Sequence, residues 1–163
     1  MIDPKAFRQA LGHLAIGVTV VTTRDLTGQP VGVTSSSFNS VSLEPPLVLW
    51  SIGRNACSHP AFAEAEHFAV HVLGEHQQEW SNRFGRAGEN KFRGLACCEG
   101  IAELPLLDGC RVRFECVIEH RYEGGDHLIL VGRVLRVTEA GNAAAPLLFH
   151  RGRYAGLEAT RGV

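Results

Sequence analysis

The sequence predicts a mainly β protein, an antiparallel barrel with a few short helices. In residues 110–118 the even positions are apolar and most odd positions are charged, which is the period-two pattern of a strand. Residues 127–135 are apolar on both faces over much of their length, which predicts barrel closure on one side and an interface on the other. Short strand-like runs without alternating βαβ units complete the prediction of a barrel.

The first half of the chain is predicted to hold one helix and four strands. Asp3 and Pro4 are typical of a helix N-cap and first turn, and the apolar spacing that follows predicts a short amphipathic helix ending near Gly17. The β-branched run at residues 18–23 predicts the first strand, and residues 25–29 a turn. Further strands are predicted at residues 31–34, 39–42 and 47–52.

The second half adds a short helix from Ser58 through Ala65, a strand at residues 68–73 and a helical stretch at residues 77–92 that two glycines interrupt. The alternating strand then runs from Cys110 to His120. Its charged positions predict one face exposed to water. They are Arg111, Arg113, Glu115 and Glu119.

Length and composition favour a single domain over residues 1–163, since the chain is 45% hydrophobic and can bury a core. A net charge of −1 without a basic block argues against nucleic acid as a partner. No apolar run reaches membrane-spanning length and no signal-peptide pattern opens the chain, so no membrane partner is expected. Five cysteines without a metal-knuckle spacing predict reduced thiols in a cytoplasmic protein.

Common catalytic signatures are missing from the sequence. There is no GxGxxG, P-loop or GxSxG motif. His67 and His71 fall on a predicted strand about 13 Å apart, too far to share a metal ion, and are expected to be surface or packing residues. Cys110 and Cys116 fall on the apolar face of a strand, which predicts core thiols. No metal site is predicted.

Four segments instead have the character of a ligand site. The hydroxyl-rich loop within residues 32–47 could present N–H groups and Ser/Thr oxygens to a phosphate or a heterocycle, although a polar surface loop is the alternative. Residues 51–58 could hold an anion before a helix, the alternative being an N-cap by Ser58. Residues 83–92 offer cations and aromatic rings, and His127 stands at the mouth of a buried strand.

These segments, in their order and spacing, resemble the short-chain flavin reductases, whose fold is the FMN-binding split barrel. The resemblance covers residues 7–157, the expected core of the single domain. The matching segments are FRQALG (7–12), GVTVVTT (17–23), TSSSF (34–38), VSLEPPL (41–47), FAV (68–70), KF (91–92), GDH (125–127) and GRY (152–154).

The resemblance implies a homodimer in which each barrel binds FMN or FAD. Residues 34–38 would border the isoalloxazine edge with backbone groups facing its N3, O4 and N5 side, residues 51–52 the ribityl chain, and residues 55–58 the phosphate. Lys91 would supply a cation to the phosphate, and Phe84 would pack nearby. The flavin-binding residues so implied are Thr34, Ser35, Ser36, Ser37, Phe38, Ser51, Ile52, Asn55, Cys57, Ser58, Phe84 and Lys91.

The same resemblance implies that His127 binds nicotinamide beside the flavin and that Tyr154 closes the same pocket. The expected activity is that of an NAD(P)H:flavin oxidoreductase, with NADH or NADPH as donor, which supplies reduced flavin to a partner monooxygenase. Because the cofactors carry the hydride, no catalytic side chain is expected. Two alternatives stay open: a flavoprotein that retains its flavin and reduces a ferric or cobalt complex, and a non-catalytic flavin- or haem-binding module.

The chain departs from the family pattern at a few positions. Cys57 stands where Ser is common, which puts a hydroxyl contact to phosphate in doubt there. His71 stands where Asn is frequent, and Trp50 is bulkier than the usual residue and is expected to pack in the barrel.

Overall fold

The computed structural model describes residues 1–88, 90–141 and 144–157. Three helices are present among these residues, with two short 3₁₀ turns at Glu75–Gln77 and Ile101–Glu103. The helices are α1 (Pro4–Leu11), α2 (His59–Glu64) and α3 (Gln78–Phe84). The strands are β1 (Ile16–Gly17), β2 (Thr19–Arg24), β3 (Pro30–Ser35), β4 (Asn39–Leu43), β5 (Pro46–Gly53), β6 (His67–Val72), β7 (Cys97–Glu99), β8 (Pro105–Leu107), β9 (Val112–Gly124), β10 (His127–Glu139), β11 (Leu148–His150) and β12 (Arg153–Ala155).

Seven of the strands form one antiparallel sheet in the order β3-β2-β6-β9-β10-β5-β4. A long β9–β10 hairpin occupies its middle, so the N-terminal end of β10 lies beside the C-terminal end of β5, where His127 pairs with Gly53. A smaller sheet joins β1, β11 and β12, and β7 pairs with β8. The prediction of a mainly β, antiparallel protein with a few short helices is confirmed.

The main core lies against the inner face of this sheet and is built around aromatic side chains. Trp50 is 1% exposed and meets Phe62 and Phe68 edge-on, with ring centroids 4.8 and 6.0 Å apart. A Cβ at Gly132 would lie 2.5 Å from the Phe68 ring, so this ring needs glycine opposite it. The expected packing role of Trp50 is confirmed.

Of the three helical predictions, the one for residues 58–65 agrees with α2, and the other two are correct at their starts and wrong at their ends. The Asp3 carboxylate accepts hydrogen bonds from the backbone N–H groups of Lys5 and Ala6, but α1 ends at Leu11 rather than near Gly17, because Ile16–Gly17 pair with β11. Within the stretch at residues 77–92, α3 stops before the first glycine, Gly85, and Glu89 lies outside the described residues.

The water-facing side predicted for residues 110–120 is wrong at Glu115. This side chain is buried, with the residue 1% exposed, because residues 97–107 fold over that face of β9. The Glu115 carboxylate accepts a hydrogen bond from the Ile101 N–H at 2.6 Å and pairs with Arg136 at 3.3 Å, as a buried charge requires. The strand itself begins at Val112 and extends to Gly124, past the predicted end.

The strand predicted to be buried on both faces is buried over only part of its length. Leu128, Leu130 and Val131 of β10 are buried, whereas Leu135 and Val137 are 42% and 50% exposed. Cys110 and Cys116 are buried, and burial raises the pKa of each thiol to about 12, which confirms the prediction of core thiols. All five cysteines are free.

Among the described residues, no helix has the length and apolar character needed to cross a membrane.

His71 connects three strands in the interior. Its ring is completely buried, Nδ1 lies 3.0 Å from the Val20 carbonyl oxygen, and Nε2 accepts a hydrogen bond from the Leu107 N–H at 3.0 Å. An acceptor at Nε2 and a donor at Nδ1 define the neutral tautomer. Burial lowers the pKa of His71 to about 4. The prediction that His71 is a packing residue is confirmed.

This arrangement predicts that acid destabilises the fold through His71. The pKa of this histidine falls from 6.5 to about 4 on folding, so between those pH values only the unfolded chain takes up the proton. The His71 contribution to the free energy of unfolding should therefore fall as the pH drops through this window, with a slope of up to about 1.4 kcal/mol per pH unit.

Urea unfolding across the window measures this effect, with His71→Gln as the variant and His67→Gln, on the same strand, as the control. Carboxylate titration is common to all three proteins, so the difference in the free energy of unfolding between wild type and His71→Gln reports the contribution of this histidine. A difference that does not change with pH would contradict the role given to His71.

Candidate functional site

Three hydroxyls of the hydroxyl-rich loop hold it in place through hydrogen bonds to the rest of the chain. The Ser37 hydroxyl accepts a hydrogen bond from the Ser51 N–H at 2.9 Å and donates to the Ser51 carbonyl at 3.2 Å. Ser35 Oγ lies 2.9 Å from Ser37 Oγ, and the Thr34 hydroxyl donates to the Ser81 carbonyl at 2.6 Å. These bonds fasten the loop after β3 to β5 and α3, so the three side chains are structural here.

What the loop leaves available is mainly its backbone. Ser36 is exposed, and in the described chain neither the Ser36 nor the Phe38 N–H donates a hydrogen bond to protein. The Phe38 ring turns inward and packs on Phe114, with centroids 5.4 Å apart, which anchors the end of the loop. The loop therefore offers two free N–H donors and one exposed hydroxyl.

A pocket of about 230 Å³ opens beside this loop, and we call it the ring pocket. It brings together several of the residues expected to form the site: Thr34, Ser35, Ser36, Ser37, Ser51, Ile52 and His127. Val33, Trp50, Gly53 and Ala56 complete its lining. The Ile52 side chain is buried in the core. Ile52 therefore borders the pocket through its position on β5 and not through a free side chain.

His127 reaches the ring pocket because of the strand that it starts. It faces Gly53 across the β5–β10 ladder, and Nε2 lies 3.7 Å from the place where a Gly53 Cβ would stand. Nδ1 is 2.7 Å from the Asp126 carboxylate, and this hydrogen bond lowers the pKa of Asp126. The Arg54 N–H donates to the Asp126 carbonyl at 2.9 Å, which ties the turn before His127 to the end of β5.

A second pocket of about 510 Å³, the anion pocket, contains Cys57, Ser58 and Lys91. Lys91 Nζ donates hydrogen bonds to the carbonyl oxygens of Gly32 and Phe84 at 3.3 and 3.0 Å. Partial burial lowers the pKa of Lys91, while the nearby Cys57 thiol acts in the opposite direction. Within the described residues no carboxylate pairs with Lys91, so this partly desolvated cation is suited to an anionic ligand.

The turn between β5 and α2 borders the same pocket. Ser58 is the N-cap residue of α2, as the alternative interpretation has it, but its side chain makes no capping hydrogen bond. In the part of the chain that the structure describes, the N–H groups of Asn55, Cys57 and Ser58 donate to no protein acceptor. Asn55 is exposed and lies in the turn rather than in the wall of the pocket.

Phe84 lies beside the anion pocket, but its ring is not open to a ligand. Its side chain is completely buried, and a Cβ at position 32 would lie 2.6 Å from its ring, so Gly32 makes room for Phe84. The ring also meets Phe92 edge-on at 5.1 Å. No part of the Phe84 ring is open to a ligand, and its link to the anion pocket is the carbonyl that holds Lys91.

Tyr154 lies in a third pocket, of about 340 Å³, rather than in the pocket of His127. Its hydroxyl donates to the Asn82 side-chain oxygen at 2.8 Å and lies 2.8 Å from the Ser81 hydroxyl. Thr34 and Ser36 border both pockets, so the loop separates Tyr154 from His127. The two residues line adjacent pockets in the described chain, and their closure of one pocket stays a prediction.

Sequence reasoning missed Ser81 and Asn82 of α3, which hold Tyr154. Their polar side chains in a short amphipathic helix carry no signal of a site until β12 is placed against that helix. Among the described residues, no group of three or more His, Cys, Asp or Glu side chains is placed to hold a metal ion.

A family model described as "Flavin reductase like domain" matches residues 11–158. The chain belongs to this family. It is 41% identical over 162 residues to the "Flavin-dependent monooxygenase, reductase subunit HsaB" of Rhodococcus jostii strain RHA1, a match that covers 99% of this chain and 82% of that protein. It is 45% identical over 152 residues to "FMN reductase (NADH) SmoA" of Agrobacterium fabrum, covering 93% of this chain and 85% of that one.

Solved structures agree with this family assignment. The Streptomyces globisporus "NADH:FAD oxidoreductase SgcE6 in complex with NAD and FAD fragments" superposes with a TM-score of 0.91 at 35% identity, covering 99% of each chain. The "nitrilotriacetate monooxygenase component B" homologue of Mycobacterium thermoresistibile gives a TM-score of 0.92 at 36% identity, covering 98% of this chain and 89% of that one. The predicted resemblance to flavin reductases and the split-barrel fold are both confirmed.

The geometry of the loop predicts different costs for two neighbouring serines. Ser37→Ala removes the acceptor of the Ser51 N–H and should lower the free energy of unfolding by about 1–3 kcal/mol. Ser36→Ala, a matched control with an exposed side chain, should change it by no more than about 0.5 kcal/mol. Equilibrium urea unfolding of both variants measures the difference, and equal stabilities would show that the Ser37 bridge does not hold the loop.

Proposed function

We propose that this chain is an NAD(P)H:flavin oxidoreductase that transfers a hydride from NADH or NADPH to FMN or FAD. Relatives named as reductase subunits of flavin-dependent monooxygenases support a further step, in which the reduced flavin passes to a partner monooxygenase. The chain spans 82% and 85% of the first two curated relatives, so the comparison concerns nearly whole proteins.

The observation that carries the proposal is the order of the pockets along β3. Val31 and Gly32 border the anion pocket, and the next residues, 33–37, border the ring pocket. A span of four strand residues is about 13 Å, which suits a flat ring joined to a phosphate by a short flexible chain. FMN and the flavin half of FAD have this construction.

The donors of the site match the charges of such a ligand. The free N–H groups of Ser36 and Phe38 are available as hydrogen-bond donors to a heterocycle edge, and small side chains at residues 35–37 let the ligand approach the backbone. Lys91, with the free N–H groups of residues 57 and 58, is suited to bind a phosphate. The residues present therefore fit a flavin.

When bound, flavin supplies the hydride acceptor, so the reaction needs no nucleophile or metal from the protein. The protein contributes by positioning the two cofactors and by stabilising charge on the flavin ring. Backbone N–H donors at the loop stabilise negative charge on the ring edge, and no carboxylate lines the described wall of the ring pocket to oppose it. His127 borders the same pocket, which supports a role in binding the nicotinamide near the ring.

A homodimer in the cytoplasm is part of the same proposal. Leu43 of β4 is 92% exposed, and Leu135 and Val137 of β10, in the same sheet, are also open to solvent. The apolar face of α1 is not buried either, with Phe7 at 55% and Leu11 at 47% exposure. Exposed apolar groups on several elements are typical of a surface that another protein chain covers.

Anaerobic assays that combine NADH or NADPH with FMN or FAD test the activity. Oxidation of at least one nicotinamide should rise with added flavin and saturate, and the bleaching of flavin absorbance should match the nicotinamide consumed. Protein that binds flavin yet oxidises neither nicotinamide would refute the reductase function and favour a binding module.

Substitution of His127 tests the proposed nicotinamide contact. His127→Ala should raise the KM for the nicotinamide about tenfold, the loss expected for a hydrogen bond worth about 1.4 kcal/mol, while the Kd for flavin changes little. His120→Ala, an exposed histidine on β9, serves as the control. An unchanged KM would exclude His127 from nicotinamide binding, and an equal rise in flavin Kd would make it a flavin residue instead.

A further inference from the structure

Beyond the anion pocket lies a second basic cavity of about 470 Å³, which we call the basic cleft. Four cationic side chains line it, and Glu79 is the single carboxylate in its described wall. These cations are Arg83, Arg86, Lys91 and Arg93. The anion pocket uses Lys91 of this set, and the proposed flavin contacts leave the three arginines without a role.

The charges of the cleft are unequally compensated. Arg83 is paired with Glu79 at 3.2 Å and also donates to the Arg93 carbonyl at 2.9 Å, so it serves to hold the wall together. Among the described residues, Arg86 and Arg93 have no ion-pair partner, and both are exposed. Two guanidinium groups and an ammonium that pair with no carboxylate in the described chain attract an anion, and a guanidinium group can bind two phosphate oxygens at once.

The cleft is continuous with the anion pocket. Gly88, Asn90, Lys91 and Arg93 border both cavities, and the Lys91 ammonium stands at the boundary, fixed by the Gly32 and Phe84 carbonyls. A phosphate held by Lys91 would therefore have a second positively charged space directly beside it. Arg86 also borders the pocket that contains Tyr154.

We infer that the basic cleft is a second phosphate subsite, which binds a nucleotide phosphate other than the one held between Lys91 and Ser58. The inference rests on the proposed function, because it takes that function's flavin phosphate as its neighbour. Two substrates carry such a group: FAD, whose second phosphate adjoins the first, and NADPH, whose ribose carries a 2′-phosphate. FMN lacks the second phosphate of FAD, and NADH lacks the 2′-phosphate of NADPH.

The double variant Arg86→Gln/Arg93→Gln tests the subsite, with Arg8→Gln, an exposed arginine on α1, as the matched control. Quenching of flavin fluorescence gives the Kd for FMN and for FAD without any turnover. Steady-state rates give the KM for NADPH and for NADH. Thermal melting confirms that each variant is folded.

If FAD is the source, its Kd should rise at least about fivefold more than the Kd of FMN, and added salt should reduce this difference. If NADPH is the source, its KM should rise about fivefold more than that of NADH. Either result supports the subsite and identifies the ligand, provided that Arg8→Gln changes neither the FAD Kd relative to the FMN Kd nor the NADPH KM relative to the NADH KM.

The inference would be overturned if the double variant left both the FAD-to-FMN ratio of Kd values and the NADPH-to-NADH ratio of KM values within about twofold of wild type. An equal loss of FMN and FAD binding would also overturn it, since the arginines would then serve only the phosphate that both flavins share. Failure of the proposed function is a separate result. Wild-type protein that binds flavin without oxidising nicotinamide refutes the reductase function but leaves the FMN-to-FAD ratio as a test of the cleft. Wild type that binds neither flavin overturns both.

Discussion

The candidate site depends on the hydrogen bonds between the Ser37 hydroxyl and the backbone of Ser51. Strands β3 and β5 lie far apart in the order of the main sheet, and this hydroxyl joins them as both donor and acceptor. Ser35 and Thr34 extend the connection, which leaves the N–H groups of Ser36 and Phe38 without protein partners. The loop is thus held by its side chains so that its backbone can face a ligand, the kind of pre-organisation that lowers the cost of binding.

A second constraint couples the core to the anion pocket. Gly32 has no side chain, so Phe84 can pack against β3, and the carbonyls of these two residues then hold the Lys91 ammonium. Any side chain at position 32 would displace Phe84 and with it one of the two carbonyls that fix the cation. The position of this charge is therefore determined by packing in the interior rather than by surface groups, and both the anion pocket and the basic cleft are arranged around it.

Sequence patterns predicted the strands of the main sheet, and failed where distant segments meet. The β-branched runs and the period-two strand were recognisable because burial on a sheet repeats every second residue. Glu115 was misplaced because residues 97–107 cover it, a contact that alternation along β9 does not encode. The burial of the Phe84 ring was missed for the same kind of reason, since only its approach to Gly32 shows it. The cations of residues 83–92 were recognisable in the sequence, but their assembly around one cleft was not.

The central claim is that the ring pocket and the anion pocket together bind one flavin along β3. A crystal structure of the protein with FMN tests it most directly. The account predicts the isoalloxazine edge against the backbone of residues 34–38 and the phosphate within hydrogen-bonding distance of Lys91 Nζ. A flavin whose ring lies away from this loop, or whose phosphate lies away from Lys91, would contradict it.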